Sequence, residues 1–142
     1  MNNKQLSIDN GEALNAVNCQ LSREERLRGE RVISNLFESG QSFFLSPYKV
    51  FWTKIPETYS VPSRFAVSVP KRRFKSAVKR NLIKRRTREV FRTNKQILIA
   101  AVTDGQVHLM VIYASDQLMP YVELEKSMKI ILQCIAQQCI IH

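Results

Sequence analysis

The chain has 142 residues, 44% of them hydrophobic and only four Gly and five Pro, so we expect a folded domain rather than a disordered chain. The apolar runs are too short to cross a bilayer, and the polar N-terminus lacks the apolar core of a secretory signal. Together they predict a soluble, cytoplasmic protein with no membrane partner. The formal net charge of +10, from 22 basic and 12 acidic residues, indicates an anionic partner.

The N-terminal part divides into a tail and a first helix. Residues 1–20 are polar and unpatterned, so we interpret them as a flexible tail and residues 21–142 as a single domain. A short helix is predicted from Glu30, and Gly40 is typical of its end. The apolar positions that repeat at helical spacing are Ile33, Leu36 and Phe37.

Two strands are predicted next. The segment after Pro47 alternates in the manner of a half-buried strand, and residues 64–69 form a second strand that Pro70 ends. One more short strand is possible among these early segments. Alternation places Phe51 and Trp52 on opposite faces, so only one of them can line a cleft.

The excess positive charge lies in residues 71–92, KRRFKSAVKRNLIKRRTREVFR, which hold eleven basic residues and one acid, Glu89. The rest of the chain carries eleven charges of each sign. Clustered Lys and Arg displace the counterions condensed on phosphates, so this segment predicts a nucleic-acid-binding surface. A solvated helix face is the alternative, but solubility alone would spread both signs over the surface.

This basic segment reads as a helix with two faces. At about 100° per residue, Ile83, Thr87 and Val90 form a narrow stripe towards the core. Like charges one turn apart repel, so the wide basic flank beside the stripe favours an anionic ligand. The flank comprises Arg80, Asn81, Lys84, Arg85, Arg88 and Arg92.

The C-terminal part completes the fold. Lys95 to Thr103 could be a helix or, over 97–102, a strand, and we favour the helix. Residues 107–114 predict a buried strand, and an amphipathic helix follows from about Tyr121. The predicted fold class is an α/β (α+β) two-layer sandwich, with about three helices on a small mixed sheet.

Aromatic residues near the basic helix are candidates for stacking on single-stranded bases. Phe37, Phe51 and Trp52 are these candidates, although aromatics on strands and helices more often belong to the core. Asn81 fits a base or 2′-hydroxyl contact and an ordinary exposed position equally well.

No protein active site is predicted. His108 and His142 are isolated, and the carboxylates show no metal-binding spacing, so we predict no catalytic residue, metal site or bound cofactor. Cys134 and Cys139 are predicted to be buried thiols.

Three strings in the sequence resemble the signature of the bacterial ribonuclease P protein subunit. They are SVPKR at 68–72, AVKRNLIKR at 77–85 and REVF at 88–91. Arg26-Leu27 and the first helix extend the resemblance, which covers about residues 26–133 in element order. Leu82 replaces the third residue of the family's Arg-Asn-Arg, and Ile33 replaces an aromatic residue of the first helix. These departures put one RNA contact and one stacking contact in doubt.

The resemblance implies a non-catalytic subunit of a ribonucleoprotein enzyme. In this family the RNA, with Mg²⁺, hydrolyses the bond between the 5′ leader and precursor tRNA. The protein binds that catalytic RNA and the leader, and no small-molecule substrate is implied. The resemblance also implies a left-handed β-α-β crossover, whereas such crossovers are usually right-handed.

The resemblance and the charge pattern together predict two sets of site residues. The leader cleft would involve Ile33, Phe37, Phe51 and Trp52. The RNA-binding residues would be Lys71, Arg72, Arg73, Lys75, Lys79, Arg80, Asn81, Lys84, Arg85, Arg88 and Arg92.

Two other functions compete with this interpretation. A non-catalytic RNA- or DNA-binding module, such as a ribosomal-protein-like domain, would explain the charge but not the Arg-Asn string. A basic amphipathic helix on a membrane or in a partner groove would need a broad apolar face, which Lys79 and Arg86 interrupt.

Overall fold

The computed structural model describes residues 21–56 and 61–141, so the predicted tail (1–20) and His142 lie outside the described residues. After a 3-10 turn at Arg23–Glu25, the chain forms four helices and four strands within the described ranges. In chain order these are α1 (Glu30–Ser39), β1 (Gln41–Leu45), β2 (Tyr48–Ile55), β3 (Ser63–Ser68), α2 (Ala77–Asn94), α3 (Gln96–Ile99), β4 (Gln106–Tyr113) and α4 (Tyr121–Ile141).

The four strands form one mixed sheet in the order β1-β2-β4-β3. β1, β2 and β4 pair antiparallel, whereas β3 and β4 are parallel and are connected through α2 and α3. The mixed α+β fold is thus confirmed, together with a β-α-β crossover between neighbouring strands. The left hand of that crossover stays a prediction from the family.

The early strands differ from the prediction in one respect. The segment around Pro47 holds two strands, because β1 and β2 pair as a hairpin on either side of Ser46-Pro47. β1 is the additional short strand that the sequence left possible. The region after Lys95 is helical, but α3 covers only four residues, Gln96–Ile99.

The main core lies between one sheet face and helices α2 and α4. Tyr48, Val50 and Trp52 on β2 are buried there, so the predicted alternation is present and the structure shows which of its two faces is internal. The predicted stripe of α2 faces the same core, and its Phe91 stacks on Phe65 of β3 with ring centroids 4.1 Å apart. Burial of this stripe holds α2 in one rotational setting, so its basic flank points outwards.

A polar pair inside this core explains a hydroxyl in the apolar stripe. The Tyr48 hydroxyl lies 2.8 Å from Oγ1 of Thr87, and both residues are fully buried. Burial raises the pKa of Tyr48 well above its ordinary value, so the phenol stays protonated. The hydrogen bond links the middle of α2 to β2.

Helix α1 packs against the opposite face of the sheet, named here the open face. Leu36 is its buried anchor, and Gly40 follows at the turn into β1. A Cβ on Gly40 would lie 2.4 Å from the carbonyl oxygen of Leu36, so only Gly allows this close turn. The turn places Phe37 over the open face. None of the helices in the described ranges combines the length and apolar character that a membrane span requires.

Candidate nucleic-acid interface

The basic helix begins at a defined cap. Ser76 is the N-cap of α2, and its side chain accepts a hydrogen bond of 3.3 Å from the backbone N–H of Lys79. Just before it, the ring of Phe74 is buried in the core. The turn that precedes the helix is therefore fixed to the body of the protein, and its basic residues have defined positions.

Arg80 holds this turn in place. One of its terminal nitrogens donates to the carbonyl oxygens of Phe74 at 2.7 Å and Lys75 at 2.9 Å, and the side chain is half-buried. The sequence treated Arg80 as an outward cation equivalent to Lys84. The structure corrects that view, because the Arg80 guanidinium already serves as an internal hydrogen-bond donor.

Two further predicted RNA-binding residues have protein partners. Arg73 forms an ion pair of 3.1 Å with Asp116, and Arg92 binds the Glu89 carboxylate through Nε and one terminal nitrogen, at 2.6 Å in the shortest contact. These acids partly neutralise the two arginines, which reduces their attraction for phosphates.

The other predicted cations remain available. Among the described residues they have no side-chain hydrogen bond or ion pair, and all except the half-buried Lys84 are exposed. Asn81 is exposed and likewise unpaired within the described ranges, which leaves both of its interpretations open. The name basic flank is restricted from this point to the available cations on α2 and in the turn before it, namely Lys71, Arg72, Lys75, Lys79, Lys84, Arg85 and Arg88.

A cavity of about 490 Å³ lies beside the C-terminal half of α2. Five arginines and one acid line it, together with two residues that the sequence did not assign to a site, Leu21 and Tyr121. Arg26 reaches this cavity because the next residue, Leu27, donates its backbone N–H to the carbonyl of Phe65 at 2.9 Å. Only the family resemblance pointed to Arg26. The charged lining consists of Arg26, Arg85, Arg86, Arg88, Arg92 and Glu89.

Arg86 is one helical turn after Leu82, the position at which the family signature has a second arginine. In the structure its guanidinium donates to the carbonyl of Met119 at 3.4 Å, and the residue lines the cavity beside the C-terminal half of α2. Leu82 itself is half-buried. Arg86 therefore adds positive charge on the side of α2 that faces Tyr121.

The open face carries the predicted aromatic residues. The rings of Phe37 and Phe51 meet edge to face with centroids 4.7 Å apart, and the ammonium of Lys49 lies 5.5 Å from the Phe51 centroid. These three residues are named the aromatic platform. Ile33 is half-buried on the same helix as Phe37.

Trp52 does not belong to this platform. It is 5% exposed and packs in the main core, on the sheet face opposite Phe51. The alternation argument required one of the two residues to be internal, and the structure identifies it. We therefore withdraw Trp52 from the predicted leader cleft.

The open face also carries a row formed by Thr53, His108 and Arg64, which are paired across three strands. The Gln106 amide nitrogen donates to Val61, so its oxygen accepts from Nε2 of His108 at 2.8 Å. Burial and the nearby Arg64 charge lower the pKa of His108 below its ordinary value. His108 is thus a neutral residue that is packed on the open face.

The remaining candidates for chemistry are the potential metal ligands and the two thiols of α4. Within the described ranges, no three His, Cys, Asp or Glu side chains are close enough to bind a metal ion. Cys139 is buried, and burial raises its thiol pKa, but Cys134 is exposed. The prediction of a buried Cys134 is wrong because a spacing of five residues turns the two cysteines to different sides of α4.

A helix with a basic flank on one side of the sheet, together with an aromatic and cationic surface on the open face, is typical of a nucleic-acid-binding protein. Residues 21–136 match the model of the family named Ribonuclease P, and the chain belongs to that family.

Bacterial relatives agree with this assignment. The "Ribonuclease P protein component" of Porphyromonas gingivalis is 35% identical over 111 residues, covering 77% of this chain and 81% of the relative. The protein of the same name from Petrotoga mobilis is 42% identical over 73 residues, which cover 51% of this chain and 58% of that protein.

Solved structures share the fold. The ribonuclease P protein from Thermotoga maritima has a TM-score of 0.64 at 26% identity and covers 78% of this chain and 97% of its own. The ribonuclease P protein from Staphylococcus aureus has a TM-score of 0.62 at 21% identity, and the match covers 78% of this chain and 94% of that protein. The similarity to the S. aureus protein is one of fold.

Proposed function

We propose that this chain is the protein component of a ribonuclease P holoenzyme, in which it binds the catalytic RNA and the 5′ leader of precursor tRNA. In this role it assists endonucleolytic maturation of the tRNA 5′ end in the cytoplasm. The observation that carries the proposal is the basic flank, seven unpaired cations on one fixed helix and the turn before it.

The basic flank is suited to a phosphate backbone. Lys79, Lys84, Arg85 and Arg88 lie on a capped helix with a buried stripe, and the other three cations lie in the turn that Arg80 holds. Binding therefore requires little reordering of the main chain. Arg85 and Arg88 present planar guanidinium groups that can bind two phosphate oxygens at once. Such contacts position a folded RNA without reading its bases.

The aromatic platform supports the second half of the proposal. The Phe37 side chain is 43% exposed beside Phe51 and Lys49, so it offers a ring for stacking next to a cation. This combination fits single-stranded nucleic acid, in which bases are available to stack and phosphates lie nearby. The 5′ leader supplies such a strand.

We assign the hydrolysis itself to the RNA partner, with Mg²⁺ bound by that RNA. Four titratable groups of the described residues already have partners within the protein. His108 is neutral and hydrogen-bonded, and Glu25 forms an ion pair of 2.6 Å with Lys95. Asp116 and Glu89 are paired with arginines.

Reconstitution tests the proposed function. The chain is added to a bacterial ribonuclease P RNA, and cleavage of precursor tRNA is measured at a low Mg²⁺ concentration that does not sustain the RNA alone. We expect the wild-type chain to restore cleavage and the Lys84→Glu/Arg88→Glu variant to require a much higher protein concentration. Lys129→Glu, an exposed charge reversal on α4, is the matched control and should behave as wild type.

Two results would overturn the proposal. One is cleavage by the purified chain without any RNA subunit, and the other is failure of the wild-type chain to change the activity of the RNA. Equal affinity of the chain for duplex DNA and for ribonuclease P RNA would favour a general nucleic-acid-binding module instead.

A further inference from the structure

Phe44 is a large apolar side chain that the sequence did not assign to a site. It lies on the edge strand β1 and is 60% exposed. Its partner across the hairpin is Lys49, so it shares the open face with that residue. Its neighbour Phe43 points to the other side and packs against the main core. Phe44 thus contributes to the open face and little to the core.

The register places Phe44 next to the aromatic platform. Phe44 is opposite Lys49, and Phe51 is two residues further along β2, so Phe44 and Phe51 are diagonal neighbours. Diagonal pairs in an antiparallel sheet are about 7–8 Å apart. Bases that are close together in one strand can therefore reach both positions.

The accessible rings of this face are those of Phe37 and Phe44. The Phe51 ring already packs edge to face with Phe37, and the Lys49 ammonium lies 5.5 Å from its centroid. Phe37 and Phe44 are 43% and 60% exposed, respectively. Phe51 therefore supports its neighbours, while the other two rings are open to a ligand.

The charge of the open face favours an anionic ligand over an apolar peptide. Among the strand residues described on this face, Lys49 and Arg64 are cations and none is a carboxylate. Lys49 is exposed and lies between the rings of Phe44 and Phe51 in the register. A strand of RNA offers both a base for Phe44 and a phosphate for Lys49.

We infer that Phe44 is a second stacking position for the single-stranded leader, with Lys49 as the phosphate contact beside it. The inference rests on the proposed function and extends its leader site from α1 across β2 to the edge strand. Leaders that are long enough to pass Phe37 gain a further base contact at Phe44.

The test measures the affinity of the reconstituted holoenzyme for precursor tRNAs whose leaders lengthen one nucleotide at a time. The Phe44→Ala variant is expected to lose at least about five-fold in affinity for long leaders and nothing for leaderless tRNA. Phe44→Tyr should retain the affinity, and Phe44→Leu should resemble Phe44→Ala, because stacking needs a ring. Lys49→Gln should weaken the same long-leader substrates.

A matched control separates stacking from a general loss of apolar surface. Ile130 is also an exposed apolar residue, on α4, and Ile130→Ala should leave affinity unchanged at every leader length. Equal weakening of leaderless and long-leader substrates by Phe44→Ala would overturn the inference. A wild-type dimer that Phe44→Ala converts to a monomer would also overturn it, and would assign the edge strand to self-association.

The outcomes distinguish this inference from the proposed function. If Phe37→Ala shows a leader-dependent loss and Phe44→Ala shows none, the role of Phe44 is refuted and the leader site stands. If the wild-type holoenzyme does not distinguish leader lengths at all, the leader part of the proposed function fails, and the role of Phe44 fails with it.

Discussion

At the scale of single residues, Arg80 shows how one side chain can belong to both the fold and the site. Its guanidinium donates to two carbonyls in the turn before α2 and leaves other N–H groups for a ligand. Helical spacing alone made Arg80 equivalent to Lys84 and Arg88. A charge reversal at Arg80 therefore tests folding and RNA binding together, whereas Lys84 and Arg88 test the surface.

Replacement of Arg80 by Ala should lower the free energy of unfolding by about 1–2 kcal/mol, because the carbonyls of Phe74 and Lys75 lose their shared donor and the first of these hydrogen bonds is partly buried. Urea titration followed by circular dichroism measures this change. Arg85→Ala is the control, since Arg85 is exposed and has no hydrogen-bond partner among the described residues, and its effect should stay within about 0.5 kcal/mol. Equal stabilities of the two variants would contradict the structural role of Arg80.

At the scale of elements, helix α2 depends on one sheet face for its orientation. The stripe of Ile83, Thr87 and Val90 is buried, and the hydroxyls of Thr87 and Tyr48 are hydrogen-bonded inside the core. This contact fixes the rotation of the helix about its axis. The direction of the basic flank therefore depends on packing that the ligand never touches.

The Thr87→Val variant should be less stable than wild type by about 1–3 kcal/mol, because it leaves the buried Tyr48 hydroxyl without its partner. The double variant Tyr48→Phe/Thr87→Val removes both polar groups and should lose less than the sum of the single variants. Thermal or urea unfolding of the four proteins gives the coupling energy. Strict additivity of the two changes would show that the hydrogen bond does not stabilise the core.

The sequence predicted some elements and missed others for identifiable reasons. Alternation in β2 and the stripe of α2 were readable because burial imposes a period on both. β1 has no such alternation, since Phe43 and Phe44 are adjacent, and so the hairpin register and the position of Phe44 could not be assigned. The short α3 had competing helix and strand patterns, which only its packing decides.

The sequence identified which residues belong to the site, but not which of them are free to contact a ligand. Charge counting identified the basic residues, yet it could not show that Asp116 and Glu89 pair with Arg73 and Arg92. Asp116 is 43 residues from Arg73 in the sequence, and Glu89 is the single acid of the basic segment. Trp52 and Phe51 could be separated by face, but which face is open depends on where α1 and α2 pack.

At the scale of the whole molecule, the formal charge of +10 is concentrated on one helix and the turn before it. The sheet separates two surfaces of different character, the basic flank beyond one face and the aromatic platform on the other. We propose that the first holds a folded RNA and the second a single strand. The ribonuclease P family assignment and the mixed sheet are consistent with this division.

The most direct test of the central claim is the salt dependence of binding to ribonuclease P RNA. The equilibrium constant is measured over a range of salt concentrations for wild type and for Lys79→Gln, Arg85→Gln and Arg88→Gln, singly and combined. Each substitution should reduce the slope of log K against log salt by about one, and the triple variant by about three, without a change in unfolding free energy. A slope that stays the same in the triple variant would show that the basic flank does not contact the RNA.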